Sequence, residues 1–349
     1  MYDLITATSM GVRITPESRQ PVGLDNRFIM QATSAESNVL NVSASLGLKT
    51  KVLTAFVKGS PISDFIRREL GRRFIAFEGP EIAPDGPWGV RHQFNIADAG
   101  FGPRGPRVHN DRAGEVGREL GPEYFDLDRI FQTEGARMIH FSGLFAALSP
   151  KTAEFCLALA EKARANGCLI SFDLNYRASF WKGREKELRA AFHRIASAAD
   201  VLIGNEEDYQ LALGLKGPEA GGQDVAKTDE FKAMIGEARK AYPNARVFAT
   251  TLRQVVNANR HLWGALLYKD GEWFIAPARE IDILDRIGGG DGFVSGLLYA
   301  LLKGWDGEKC VQFGWATGAL AATMVEDYAS PADEEQVWSI WNGNARVKR

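Results

Sequence analysis

The chain has 349 residues, 45% of them hydrophobic and 25% charged, with Lys plus Arg at 42, Asp plus Glu at 44 and a net charge of −2. That balance argues against a nucleic-acid or anionic-membrane binder, and no apolar run approaches the roughly 18 residues of a membrane span. The start MYDLITATSMGVRITPESRQ lacks the basic and apolar stretches of a secretion signal. Three scattered cysteines (Cys156, Cys168, Cys310) without CxxC spacing, and five histidines without HExxH, argue against a disulfide framework or a zinc motif. They fit a reducing cytoplasm.

The first third is irregular. Residues 79–110 are dense in Gly and Pro and hold short alternating pieces such as VRHQFNI, which predicts a small β excursion away from the main sheet. A long surface loop is the alternative. From about residue 136 strand and helix signals alternate with little filler. ARMIHFSG reads as a strand and SPKTAEFCLALAEKARANG as a helix, capped by Ser149, with Pro150 at its first position and Asn166-Gly167 at its end. CLISFDLN is a second strand, followed by a charged helical stretch from about Lys182 to Ala198. ADVLIGN is a third strand opening into helical EEDYQLALG, and ARVFATTL a fourth. GALLYKDGEWF predicts a hairpin turning at Lys269-Asp270-Gly271. These strands are continuously apolar, as expected of a parallel sheet with helices on both faces, hence a doubly wound α/β fold. Ligands of such sheets bind beyond the strand carboxyl ends. That singles out Asp173 to Arg177, Asn205, Thr250 to Arg253 and a glycine run further on.

The glycine run is the most informative stretch. IDILDRIGGGDGFVSG reads as a strand, EIDILD, then Gly288, Gly289 and Gly290, then a helix over GFVSGLLYALL. Unpaired amides at a helix start form an anion site, and glycine lets a phosphate approach closely. Asp291 then stands as a base beside a transferring group, or as a charge favoured by the helix dipole. No GK[ST] follows, so this is not a P-loop, and Phe293 breaks the dinucleotide fingerprint.

DRIGGGDGF resembles the D-x-x-G-x-G-D signature of the ribokinase-like (PfkB) carbohydrate kinases. NDRAG (110–114), SFDLNYRASFW (171–181), GNEEDY (204–209) and TTLRQ (250–254) resemble segments of one branch, the 2-keto-3-deoxygluconate kinases, in the expected order. The resemblance implies a single ribokinase-like domain over 1–349 with a β-lid over about 12–32 and 85–112. It implies phosphorylation of a sugar or sugar-acid hydroxyl by ATP with Mg2+, Asp291 as base and the amides of Gly288, Gly289 and Gly290 as anion hole. It further implies nucleotide contacts at Asn205, Thr251, Arg253, Gly290 and Gly318, and a water-mediated metal contact at Asp208, where the family holds a glutamate. Substrate contacts fall on Asn38, Arg112, Arg177 and Asp291; arginine suits a substrate carboxylate. Thr33 and Ser34 stand where the branch has two glycines, and Asn110 and Arg91 where it has tyrosines, so the sugar side is expected to be rebuilt. The expected partner is a small sugar or sugar acid, with no nucleic acid and no membrane; a homo-oligomer is left open. Alternatives are a kinase for another sugar or a nucleoside-like polyol, a non-catalytic ligand-binding paralogue, and a dinucleotide-dependent oxidoreductase. The failed fingerprint weighs against the last.

Overall fold

Leu4 and Ile5 are sequence neighbours and both fully buried, yet they pack into different hydrophobic cores. Met138 and Ile139 divide in the same way. A strand whose successive side chains enter opposite cores is covered on both faces, which is why these strands read as continuous apolar runs.

A computed structural model describes residues 1–218 and 228–346. The chain opens with β1 (Tyr2–Ala7), continues through β2 (Gly11–Pro16) and β3 (Phe28–Thr33), and enters helix α1 (Ala35–Ser45). β4 (Thr50–Leu53), β5 (Phe56–Val57) and α2 (Pro61–Arg72) precede β6 (Ile75–Glu78) and β7 (Glu81–Ile82). β8 (Phe94–Asp98) and β9 (Arg107–Asp111) follow, then β10 (Ala136–Ser142), the one-turn α3 (Gly143–Ala146) and α4 (Pro150–Ala165). Next come β11 (Leu169–Asp173), α5 (Ala178–Trp181), α6 (Glu185–Ala198), β12 (Val201–Ile203), α7 (Thr228–Ala241) and β13 (Val247–Asn257). The chain finishes with β14 (Arg260–Lys269), β15 (Glu272–Asp282), α8 (Gly289–Leu302), α9 (Gly307–Ala322) and α10 (Glu334–Trp341).

Nine strands form the main sheet in the order β15-β14-β13-β12-β11-β10-β1-β4-β6. Every pairing from β13 to β6 is parallel, and β13, β14 and β15 pair antiparallel. Helices α4, α6 and α7 cover one face through residues such as Phe155, Phe192 and Ile235; α1, α8 and α9 cover the other through Leu40, Leu297 and Val311. This is the doubly wound α/β architecture expected from the sequence. The chain winds outward in both directions from the β1–β10 junction, so the crevice for a ligand opens at their carboxyl ends.

Local chemistry explains the predicted boundaries. Ser149 caps α4 in a reciprocal capping box with Thr152, Pro150 occupies the first turn, and Gly167 (φ 69°) follows the Asn166 cap; such a cap contributes about 1 kcal/mol. The hairpin turns at Asp270 (φ 50°) and Gly271 (φ 100°), with Lys269 paired to Glu272. Two predicted boundaries move. The strand drawn as EIDILD ends at Asp282, and residues 283–287 form a loop because Asp285 bonds back to the Ile287 N–H (3.0 Å). EEDYQLALG is a short π-type helix over Asp208–Ala212 that stops at left-handed Gly214. A second sheet, in the order β3-β2-β8-β9, stands beside the crevice; the buried faces of β2 and β3 turn inward while β9 is largely exposed.

Candidate active site

A cleft of about 800 Å³ lies over the carboxyl ends of β1 and β10–β13 and is walled by the second sheet. The loop into α8 forms its floor. Gly288 precedes the helix with φ 84°, and a Cβ there would sit 2.1 Å from the Asp327 carbonyl oxygen, so only glycine fits. The Gly292 N–H donates to the Gly288 carbonyl (2.7 Å) and closes the first turn. The amides of Gly289, Gly290 and Asp291 therefore lack intrahelical acceptors and carry the positive end of the helix dipole.

Asp291 is partly buried in that first turn and accepts a hydrogen bond from Asn38 Nδ2 (2.9 Å). The helices that carry the pair are locked together: Ser295 Oγ donates to the Val39 carbonyl (2.6 Å) and accepts the Val42 N–H (3.0 Å). Desolvation in the cleft pushes the Asp291 pKa up to about 7, and the nearby Asp327 and Glu36 add to the rise; the Asn38 hydrogen bond and Arg177 oppose it. A carboxyl poised near neutrality beside an anion site suits proton acceptance.

The predicted nucleotide-side residues Asn205, Thr251, Arg253 and Gly290 all line the cleft, as does Asp208. Asn205 and Asp208 cap one another's backbone, Asn205 N–H to Asp208 Oδ2 (2.8 Å) and Asp208 N–H to Asn205 Oδ1 (2.9 Å). The other Asp208 oxygen accepts the Tyr176 N–H (2.7 Å). Burial raises the Asp208 pKa to about 6. Arg286, quoted within DRIGGGDGF but given no role there, also lines the cleft. Its pKa is lowered by burial and by repulsion from Arg177, and Arg253 feels both cations. Three guanidiniums held against mutual repulsion form a site for a polyanion. Asp173, at the end of β11, also opens on the cleft, and burial followed by the charges of Asp208 and Asp291 drives its pKa upward.

The sugar side differs from expectation in detail. Thr33 and Ser34 do line the cleft, but their side chains serve the protein. Thr33 Oγ1 donates to Asp327 Oδ2 (2.9 Å), and Ser34 Oγ caps α1 by accepting the Ser37 N–H (3.0 Å). Arg112 lines the cleft but is ion-paired with buried Glu115 (2.8 Å) and lies over the Phe180 ring. Arg177 is exposed in the cleft and donates to the Tyr176 carbonyl (2.6 Å). Asn110 lines the cleft, whereas Arg91 pairs with Asp111 (3.0 Å) and lies outside its lining. Gly318 is also outside the lining. A Cβ there would meet the Gly289 carbonyl at 3.0 Å and Trp263 at 2.9 Å, so Gly318 lets α9 approach the start of α8.

Residues 123–334 match the model of the pfkB family of carbohydrate kinases. The chain belongs to this family. A 2-dehydro-3-deoxygalactonokinase of Haloferax volcanii is 26% identical to it over 99% of both chains. A 5-dehydro-2-deoxygluconokinase of Clostridium perfringens is 26% identical over 66% of this chain and 60% of its own length. The crystal structure of 2-dehydro-3-deoxygluconokinase from Thermotoga maritima superimposes with a TM-score of 0.86 at 26% identity, covering 98% of this chain and 99% of that one. Within this carbohydrate kinase, Arg13, Arg286 and Asp327 are among the cleft residues that sequence motifs missed. Arg286 sat beside the glycine signature; Arg13 and Asp327 carry no local signal, because only the fold brings them together.

Proposed function

We propose that the chain transfers the γ-phosphoryl group of ATP to a hydroxyl of a dehydro-deoxy sugar acid of the 2-keto-3-deoxygluconate type. The observation that supports this most is the shared first turn of α8. It sets three acceptor-less amides beside Asp291, a carboxyl with a pKa of about 7 held by Asn38. Asp291 orients the hydroxyl and takes its proton, while the first-turn amides, those of Gly289, Gly290 and Asp291 itself, stabilise charge on the moving phosphoryl group. Arg253 and Arg286 neutralise the nucleotide phosphates, with Asn205 and Thr251 along the same wall.

Among the described residues no group of three or more His, Cys, Asp or Glu side chains could hold a metal ion. Both Asp208 oxygens already accept backbone N–H groups, leaving lone pairs for water. Such a donor set fits magnesium carried in by the phosphates and touched by Asp208 through water, where the ion would neutralise developing charge. On the sugar side, Arg112 and Arg177 are the cations for the substrate carboxylate, and the second sheet closes over the sugar to exclude water. The three cysteines are unpaired and buried, which suits a cytoplasmic enzyme.

The names of the three relatives share one chemical class, the dehydro-deoxy sugar acids, and the exposed Arg177 guanidinium in the cleft supports that class over neutral ketoses. An ATP-consumption screen over sugar acids, ketoses and nucleosides tests this, with a dehydro-deoxy acid expected to give the highest kcat/KM. A neutral ketose or nucleoside as best substrate would overturn the class, and no ATP consumption with any acceptor would overturn the reaction.

A further inference from the structure

Three side chains of the second sheet close on one short segment, residues 325–327. Arg13, on β2 and 1% exposed, donates to Asp327 Oδ1 with one terminal nitrogen and to Asp285 Oδ2 with the other. Gln31, opposite Arg13 on β3, donates to the Val325 carbonyl (3.2 Å) and accepts the Asp327 N–H (3.1 Å). Thr33 donates to Asp327 Oδ2 (2.9 Å) and accepts from Asn38 Nδ2 (3.3 Å), which also donates to Asp291 Oδ2 (2.9 Å). The Asp327 carbonyl is the atom that a Cβ on Gly288 would strike. Contacts thus run without a break from Asp285 through Arg13, Asp327, Thr33 and Asn38 to Asp291, and the backbone of residues 285–291 closes the ring.

We propose that Arg13 is a positioning residue for phosphoryl transfer: its guanidinium bridges Asp285 and Asp327 on either side of the Gly288 turn and so holds the turn, Asp291 and the second sheet as one unit. The inference rests on Asp291 as the base. A planar guanidinium can serve two carboxylates at once, where a lysine ammonium is a single point charge. Without the bridge, two buried carboxylates are left uncompensated and the turn loses its support.

The bridge also has an electrostatic consequence. Asp327 is one of the negative charges that raise the Asp291 pKa, and Arg13 is its counter-ion. The other charged groups facing Asp291 are Glu36 on α1, Asp173 after β11 and Arg177 in the following loop; neutral Asn38 holds it directly. Loss of Arg13 leaves those groups in place and uncovers the Asp327 charge, so Asp291 keeps its proton to higher pH.

The test is kcat/KM against pH on the full chain, with melting temperature alongside, for wild type, Arg13→Lys, Arg13→Met, Arg13→Met/Asp327→Asn and Thr33→Val. Arg13→Met should lose about 10- to 100-fold in kcat, the scale of a misplaced catalytic group, with the ATP KM within a few-fold. Its acid limb should move to higher pH. Arg13→Lys keeps the charge but not the bridge, so kcat should fall while the limb stays near wild type. Arg13→Met/Asp327→Asn should return the limb without restoring kcat. Thr33→Val, which removes no charge, should lower kcat a few-fold at unchanged melting temperature, and it keeps the test open if Arg13→Met does not fold. Folded variants with wild-type kcat and an unmoved limb would overturn the inference, as would a lowered melting temperature alone. Normal turnover in Asp291→Asn would sink the underlying base reading instead; an inactive Asp291→Asn beside unaffected Arg13 variants sinks only the bridge.

Discussion

At the phosphate end of the cleft, Gly288, Gly289, Gly290 and Asp291 are consecutive, and Asn205 and Asp208 cap each other within one helical turn. At the sugar end, Thr33 and Asn38 come from one segment, Arg112 from a second and Asp327 from a third, and these meet only through the fold. On the proposed function, phosphate recognition rests on backbone amides and a helix start, so it is local and tolerates little change. Sugar recognition then rests on side chains braced by other side chains, so an altered residue can be absorbed. Thr33 and Ser34 show this: hydroxyls that would have faced the sugar instead bond Asp327 and cap α1.

Five substitutions or measurements separate the two ends. The largest effect belongs to Asp291→Asn, which should lower turnover by about 10²- to 10⁴-fold, the range for loss of a general base. Its stability should change in the opposite sense. Burial raises the Asp291 pKa above its unfolded value, so the ionised carboxylate costs stability as pH rises through about 7 and costs none below the unfolded carboxylate range. Asp291→Asn should therefore melt above wild type at pH 8, with the difference gone near pH 4. If it melts lower at pH 8, the carboxylate is a stabilising helix-start charge.

Next are two glycine variants that dissect the same turn. Gly288→Ala must displace the Asp327 backbone and adopt φ 84°, so melting temperature and activity should fall together. Gly290→Ala meets nothing of the protein within 4 Å but lies in the cleft lining, so activity should fall while melting temperature holds. Equal melting losses would show that the glycines serve packing rather than a phosphoryl group. A smaller effect is expected at the sugar end. Restoring glycines at Thr33 and Ser34 should change the sugar KM and substrate preference several-fold and leave the ATP KM unchanged, with the lost Ser34 cap costing only a few tenths of a kcal/mol. A shifted ATP KM would erase the distinction between the ends. The smallest signal is in the second sheet: hydrogen-exchange protection over 12–32 and 85–112 should rise when the sugar acid binds, and no rise at saturation would remove its closing role.

How much of this could be read from the chain follows the same division. The parallel strands, the α4 caps and the Asp270-Gly271 turn were legible because apolar runs, capping residues and turn residues act over a few positions. The glycine run and Asp291 were legible for the same reason. The loop over 283–287 was not, since EIDILD alternates acidic and apolar residues as a strand does, and the loop is fixed by distant backbone, Ile283 N–H to Asn259 and Leu284 N–H to Ala322, together with the Asp285 side chain. Gly318 was read as a nucleotide contact from the resemblance; its small size serves the approach of α9 to Gly289, a packing role that no local signal in the sequence marks. Arg13 was invisible: GVRITP carries no motif, and its partners lie at positions 285 and 327.

The most direct measurement is kcat/KM for the sugar acid against pH, between pH 5 and pH 9, in wild type and Asp291→Asn. With Asp291 as the base, wild type should show an acid limb with its midpoint near pH 7, falling tenfold per unit below it, because only the ionised carboxylate accepts the hydroxyl proton. In Asp291→Asn that limb should vanish, leaving a low residual rate without it. Persistence of the same limb in the variant, or turnover within a few-fold of wild type, would show that another group takes the proton.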